Sequence, residues 1–160
     1  MLGFRGTVTN KVDAKGRVSV PAKFRALLEA ENLSSIVCYP ALRGDVIEAG
    51  GRRLMQQIDF MLSRLEPFSP EWEALSHTLV GASVELAFDS DGRIVLPESL
   101  RALAGITTAV SFVGLGTRFQ LWQPDALAQE YAKAKDLARD SRSLLRPPPV
   151  FPQNQTGEGA

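Results

Sequence analysis

Along the chain, apolar residues of period two alternate with apolar stripes of helical period, and this succession occurs twice. Val8 and Val12 lie at even spacing before Asp13, as Val84, Leu86 and Phe88 do before Asp89. Each set predicts a half-buried strand. The Asp-x-x-Gly that follows, 13–16 and 89–92, predicts a hairpin loop. Aspartate can bond its own backbone there, and glycine takes positive φ without a Cβ penalty. Arg17-Val18-Ser19-Val20 and Arg93-Ile94-Val95-Leu96 then resume the alternation as return strands. Pro21 and Pro97 suit the first position of a helix, where a missing N–H costs nothing. Helices of about 8–10 residues follow. They end near Asn32 and Gly105, residue types tolerated in a left-handed cap. Phe24, Leu27 and Leu28 form the apolar stripe of the first helix; Leu100, Leu103 and Ala104 form that of the second.

The pattern runs on in parallel. Ile36–Tyr39 and Val46-Ile47 predict a second hairpin in the first half, and Val110–Val113 and Phe119–Trp122 predict its counterpart. Each leads into a helix. One spans Arg52 to Leu65, with Leu54, Ile58, Met61 or Leu62, and Leu65 on one face; the other spans Asp125 to Arg139 and is opened by Pro124. An additional helix from Ser69-Pro70 to about Leu79 joins the halves. The expected fold class is therefore α+β, with two tandem halves of β-β-α-β-β-α order. Half a chain of this size buries too little surface to be stable alone, so the halves should pack together as a dimer fused into one chain. The expected divisions are 1–76, 77–140, and a disordered proline-rich tail over 141–160.

Direct comparison makes the repeat explicit. At a shift of 76 residues, positions 13–28 and 89–104 share seven identities: Asp13/Asp89, Gly16/Gly92, Arg17/Arg93, Pro21/Pro97, Arg25/Arg101, Ala26/Ala102 and Leu27/Leu103. Unrelated segments of that length share about one. Charge separates the two copies. Residues 1–28 carry Arg5, Lys11, Lys15, Arg17, Lys23 and Arg25 against Asp13 alone, a net of +5. Residues 77–104 carry Arg93 and Arg101 against Glu85, Asp89, Asp91 and Glu98, a net of −2. The whole chain is neutral, so any sign of an anionic partner is local. The shared Asp, Gly, Arg and Pro suit a common frame, with an Asp–Arg pair locking each loop. The residues that differ are Arg5, Lys11, Lys15 and Lys23, replaced by Gly81, Ala87, Asp91 and Ser99. A cationic two-stranded ribbon can enter the major groove of duplex DNA, neutralise phosphates and present an arginine to guanine. The same charges can equally form a solvated face. Residue types alone leave both readings open.

"FRG" at 4–6, "VDAKGRVSVPAKFR" at 12–25 and "DSDGRIVLPESLR" at 89–101 closely resemble the MraZ family of bacterial regulators, within the AbrB-like swapped-hairpin transcription factors. The resemblance covers roughly residues 4–140 and includes "LVG" and "FQLW". Two Asp-x-x-x-Arg motifs in one chain are its specific mark. It implies a barrel-like pseudo-dimer, a ring of subunits, and repression of the division and cell-wall gene cluster through direct repeats near its promoter. It also maps the DNA-contacting motif onto Asp13, Lys15, Gly16 and Arg17. Lys11 shares that loop in our reading, Arg5 and Lys23 support backbone contacts, and Asp89, Gly92, Arg93, Pro97 and Arg101 form a structural twin. The acidic twin is expected to face away from DNA or toward a neighbouring subunit. Double-stranded DNA and further copies of the chain are the expected partners, with no membrane and no small-molecule substrate. The expected location is the cytoplasm and nucleoid.

Other features carry less. His77 has no triad partner near it in sequence, and Cys38, the only cysteine, sits among apolar strand residues. Asp89 and Asp91 lack the further ligands of a metal loop. Gly114-Leu115-Gly116 lacks the lysine and helix of a phosphate loop, and Trp72 and Trp122 read as core or interface anchors. Neither an enzyme nor a cofactor is expected, and no stretch approaches the roughly 20 apolar residues of a membrane span. The alternative reading is an antitoxin-like or other protein-interaction module of the same hairpin group.

Overall fold

The computed structural model describes residues 2–150. Residues 2–128 form one compact unit and 129–150 belong to a second. The element order follows the repeat. In the first half, β1 (Thr7–Lys11), β2 (Arg17–Ser19), α1 (Ala22–Ala30), β3 (Ser35–Pro40), β4 (Ile47–Gly50) and α2 (Arg52–Ser63) succeed one another. The linking helix α3 (Pro70–Ser76) runs into a π-helical turn, His77–Gly81. The second half repeats the order as β5 (Val84–Ala87), β6 (Arg93–Val95), α4 (Glu98–Ala104), β7 (Ala109–Gly114), β8 (Phe119–Trp122) and α5 (Pro124–Ser141). Arg142–Leu144 forms a 3-10 turn, and residues 146–150 have no regular structure. The remainder of the expected tail, 151–160, lies outside the described residues.

Strand pairing departs from the sequence reading at one point. The loops at 13–16 and 89–92 do not close hairpins. β1 pairs with β7 and β2 with β6, so the strands flanking the first loop both find partners in the second half. β5 correspondingly pairs with β3 of the first half. The expected hairpins β3–β4 and β7–β8 do form, and β4 pairs with β8. All pairings are antiparallel, giving a six-stranded sheet in the order β1-β7-β8-β4-β3-β5 and a separate two-stranded ribbon, β2-β6. The edge strands β1 and β5 are mostly exposed, whereas β3, in the sheet interior, is mostly buried.

One core serves both halves. Val18 and Val20 from one copy and Ile94 and Leu96 from the other meet Ile36, Ile47, Val110, Phe112 and Leu121. Phe4, Phe24 and Phe119 pack edge-on or tilted, with ring centroids 4.9–5.2 Å apart. Such offset contacts suit the ring quadrupoles better than face-to-face stacking. Phe24 and Leu28 anchor α1, and Leu100 and Ala104 anchor α4, while Leu103 is exposed. On α2, Leu54, Ile58 and Leu62 are buried and Met61 is not. Pro21 and Pro97 stand one position before the helices, as caps rather than first residues. Asn32 and Gly105 take the expected left-handed conformation, at φ 60° and 63°.

Candidate nucleic-acid interface

Each Asp-x-x-x-Arg loop is built around one carboxylate. Asp13 Oδ1 accepts the backbone N–H groups of Lys15 and Arg17, both at 2.9 Å, and Asp13 Oδ2 accepts Arg17 Nε at 2.6 Å. Asp89 does the same with Asp91, Arg93 and Arg93 Nε, at 2.9, 2.9 and 2.8 Å. The backbone closes each turn with Asp13 N–H donating to Arg17 and Asp89 N–H to Arg93. The backbone N–H of Arg17 beside Asp13, and that of Arg93 beside Asp89, holds each carboxyl below the ordinary aspartate range, with burial opposing and further bonds assisting. Gly16 and Gly92 sit at φ 81° and 74°, a region costly for any residue with a Cβ.

The halves also clamp each other's loops. Leu96 N–H donates to the Gly16 carbonyl at 2.9 Å, and Val20 N–H to that of Gly92 at 3.2 Å. The Arg101 guanidinium lies where a Cβ on Gly16 would point, and Arg25 occupies the same place over Gly92. Both are held by their Nε, which donates to Leu96 and Val20 carbonyls respectively, each at 3.1 Å. Shared Gly and Arg identities therefore serve contacts made across the halves.

The basic residues fall into two groups. Lys11 and Lys15 are exposed at the loop, Gly16 is buried in it, and half-buried Arg17 begins β2. Arg5 and Lys23 are exposed and line an open groove with Thr7, Asn10, Ser19 and Arg25. Asn10 was missed from the sequence; its Nδ2 donates to the Ser19 carbonyl at 2.7 Å, tying β1 to β2. Its counterpart at a shift of 76 is Leu86, so a polar residue in place of an apolar one was the available signal.

Ribbon register fixes how the two arginines relate. Arg17 pairs with Val95, Val18 with Ile94, and Ser19 with Arg93. Val18 and Ile94 point into the core, so Arg17, Ser19, Arg93 and Val95 share the outward face. Arg17 and Arg93 are diagonal neighbours there, a relation that separates Cα atoms by about 7–8 Å. The two arginines therefore share one face, and the antiparallel register sets their loops at opposite ends of the ribbon. The two arginines differ in their partners. Arg93 Nη2 lies 3.4 Å from Asp91, whereas Lys15 stands at the matching position of the first loop. Among the described residues no carboxylate besides Asp13 lies within ion-pair distance of Arg17.

The features set aside earlier stay apart from this face. Cys38 is fully buried, and burial pushes its thiol up to about 12. His77 is exposed, 3.7 Å from Glu73 on its own helical segment. Trp72 packs on Phe68, and Trp122 Nε1 donates to Gln120. Among the described residues no group of three or more His, Cys, Asp or Glu side chains could hold a metal ion, and no helix is long and apolar enough to cross a membrane.

A mixed α+β protein with an interleaved antiparallel sheet and a duplicated Asp-x-x-x-Arg loop, one copy basic and one acidic, is the class defined here. The family model "MraZ protein", whose description also carries the term "antitoxin-like", matches residues 3–39 and 79–146. A protein of Parvibaculum lavamentivorans named transcriptional regulator MraZ is 51% identical over 147 residues, covering 91% of each chain. Others of that name are 42% identical: one from Beijerinckia indica, over 92% of this chain and 90% of its own, and one from Rickettsia bellii, over 87% and 93%. The chain belongs to the MraZ family.

Proposed function

We propose that this protein is a sequence-specific DNA-binding transcriptional regulator, not an enzyme, that docks the Arg17 end of the outward β2–β6 ribbon face on duplex DNA. The carrying observation is the contrast between two loops of the same backbone, of which only the first leaves its arginine without a second carboxylate and adds Lys11 and Lys15. Arg17 reads or anchors at the groove, Asp13 and Gly16 shape the loop, and Arg5 and Lys23 extend the cationic path along the neighbouring groove. The names borne by the relatives support the regulatory role.

Reciprocal pairing of β1 with β7 and β5 with β3 supports two tandem AbrB-like swapped-hairpin halves, 1–76 and 77–140, followed by a proline-rich tail. Exposed Phe60, Phe68 and Val80 support assembly with further copies, as a ring. In a ring, several modest cationic faces engage several direct repeats at once, so avidity compensates for a chain of zero net charge. The target within this reading is the promoter of the division and cell-wall gene cluster, in the cytoplasm and nucleoid, and the effect is repression. A second reading, an antitoxin-like interaction module, has the term in the family description behind it. Two loop motifs in one chain weigh against it.

An electrophoretic shift of the promoter fragment tests the assignment. Arg17→Ala should cost about 1–3 kcal/mol of affinity. Arg93→Ala, which loses the equivalent bond to its aspartate, should leave the shift intact. A shift that survives Arg17→Ala and disappears with Arg93→Ala would overturn the proposal.

A further inference from the structure

The two loops share one outward ribbon face, yet the chain has made one of them unlike the other at its tip. Both carboxylates accept the same two backbone N–H groups and the same arginine Nε at 2.6–2.9 Å, so the frames are matched. Side chains at the tip are the variable. Lys15 adds a cation beside Arg17; Asp91 replaces it with a carboxylate 3.4 Å from Arg93 Nη2. Asp91 is 72% exposed, so the pair contributes little to stability. Its consequence is electrostatic. A phosphate approaching Arg93 meets the Asp91 carboxylate 3.4 Å from Nη2 first, and the two anions repel.

We infer that Asp91 is a specificity-determining residue that silences the second loop, so that a nearly two-fold ribbon face engages DNA from one side only. This rests on the DNA-binding reading given above. A two-fold face with both arginines free would match an inverted element, since the symmetry of a site mirrors that of the protein. A face with one live arginine has a direction. Copies that each use one live loop would require elements repeated in the same sense, which is the direct-repeat arrangement already proposed. Asp91 thereby acts on the orientation of the target rather than on the fold.

The test is a salt titration of DNA binding by the full chain, using the upstream promoter fragment and a mixed-sequence duplex of equal length. Asp91→Lys should steepen the log–log salt slope by about one per engaged chain. It should also extend the hydroxyl-radical footprint on the side of the second loop. Asp91→Asn, which frees Arg93 without adding charge, should give a smaller change in the same direction. Adding Arg93→Ala to Asp91→Lys should remove part of the gain, and the loss should exceed the change that Arg93→Ala makes in the parent. Lys15→Asp should flatten the slope. If Asp91→Lys and Asp91→Asn bind as the parent does while Lys15→Asp weakens binding, the silencing role is wrong and the DNA-binding reading stands. If Lys15→Asp and Arg17→Ala both leave binding unchanged, that reading fails and the inference falls with it. Circular dichroism melts of each variant identify any loss of fold, to which an exposed residue such as Asp91 should contribute little.

Discussion

Asp13 and Asp89 are each the hub of a loop, and the hub is written in ionic form. As carboxylates they accept three hydrogen bonds; once protonated, they lose the charge that strengthens each bond. The largest cause of their lowered pKa is a backbone N–H, that of Arg17 or Arg93, so the effect belongs to the folded loop and vanishes on unfolding. A folded-state value below the unfolded one means that the stabilisation is present above the unfolded aspartate range. It is lost as pH falls through the folded value. Melting temperature should therefore fall on the acid side below the ordinary aspartate range, and the Asp13→Asn/Asp89→Asn double variant should show a shallower acid limb. Calorimetric melts across that range check this, and an acid limb of the parent slope in the double variant would refute it. At this scale the Asp–Arg lock of each loop was legible in the sequence, and the Asn10 bond to Ser19 was not. Asp, Gly and Arg at fixed spacing specify the bonds within the turn, while the clamp from the opposite half, Leu96 on Gly16 and Val20 on Gly92, has no local signal.

Elements were legible less evenly. Alternation and capping residues marked eight strands and the order of the helices, because both signals are local. The β3–β4 and β7–β8 hairpins could be read because their strands adjoin in sequence and in space. The partners of β1 and β2 could not, since a turn signal states that the chain reverses but not whether its arms bond each other. In this fold the arms part, and each glycine carbonyl accepts from the opposite half instead. That exchange gives Arg101 a role its position in the acidic copy did not suggest. It lies against Gly16, in the basic loop, and is tied to the residue that follows β6 by its Nε bond to Leu96 at 3.1 Å. Arg101→Ala should loosen the first loop, at a cost of about 1 kcal/mol for the lost bond. Amide exchange at Gly16 and Arg17 should accelerate more than at Gly92 and Arg93. Equal acceleration at both loops would show that Arg101 serves the core generally and does not position the first loop.

The whole molecule follows from this exchange. β1 has no partner besides β7, and β2 none besides β6, among the described strands. The first half alone would expose the edges of both strands and the core faces of Val18 and Phe24, which are almost fully buried in the intact protein. A fragment of residues 1–76 should therefore not persist as a folded monomer. It has one good remedy, to pair β2 with β2 of another copy, because β2 and β6 are equivalent strands joined in an antiparallel register about Val18 and Ile94. Fragments 1–76 and 77–150 made together should instead copurify in equal amounts and melt as one cooperative unit, since a single core holds residues from both. Size-exclusion chromatography with light scattering, followed by thermal unfolding, measures these outcomes. A cooperatively folded monomer of 1–76 would mean that its strands can pair within the half, and the interleaving would then be one packing among alternatives. Copurification with a single transition would mean that duplication in the sequence has become interdependence in the structure. Neither loop would then exist without the half that carries the other.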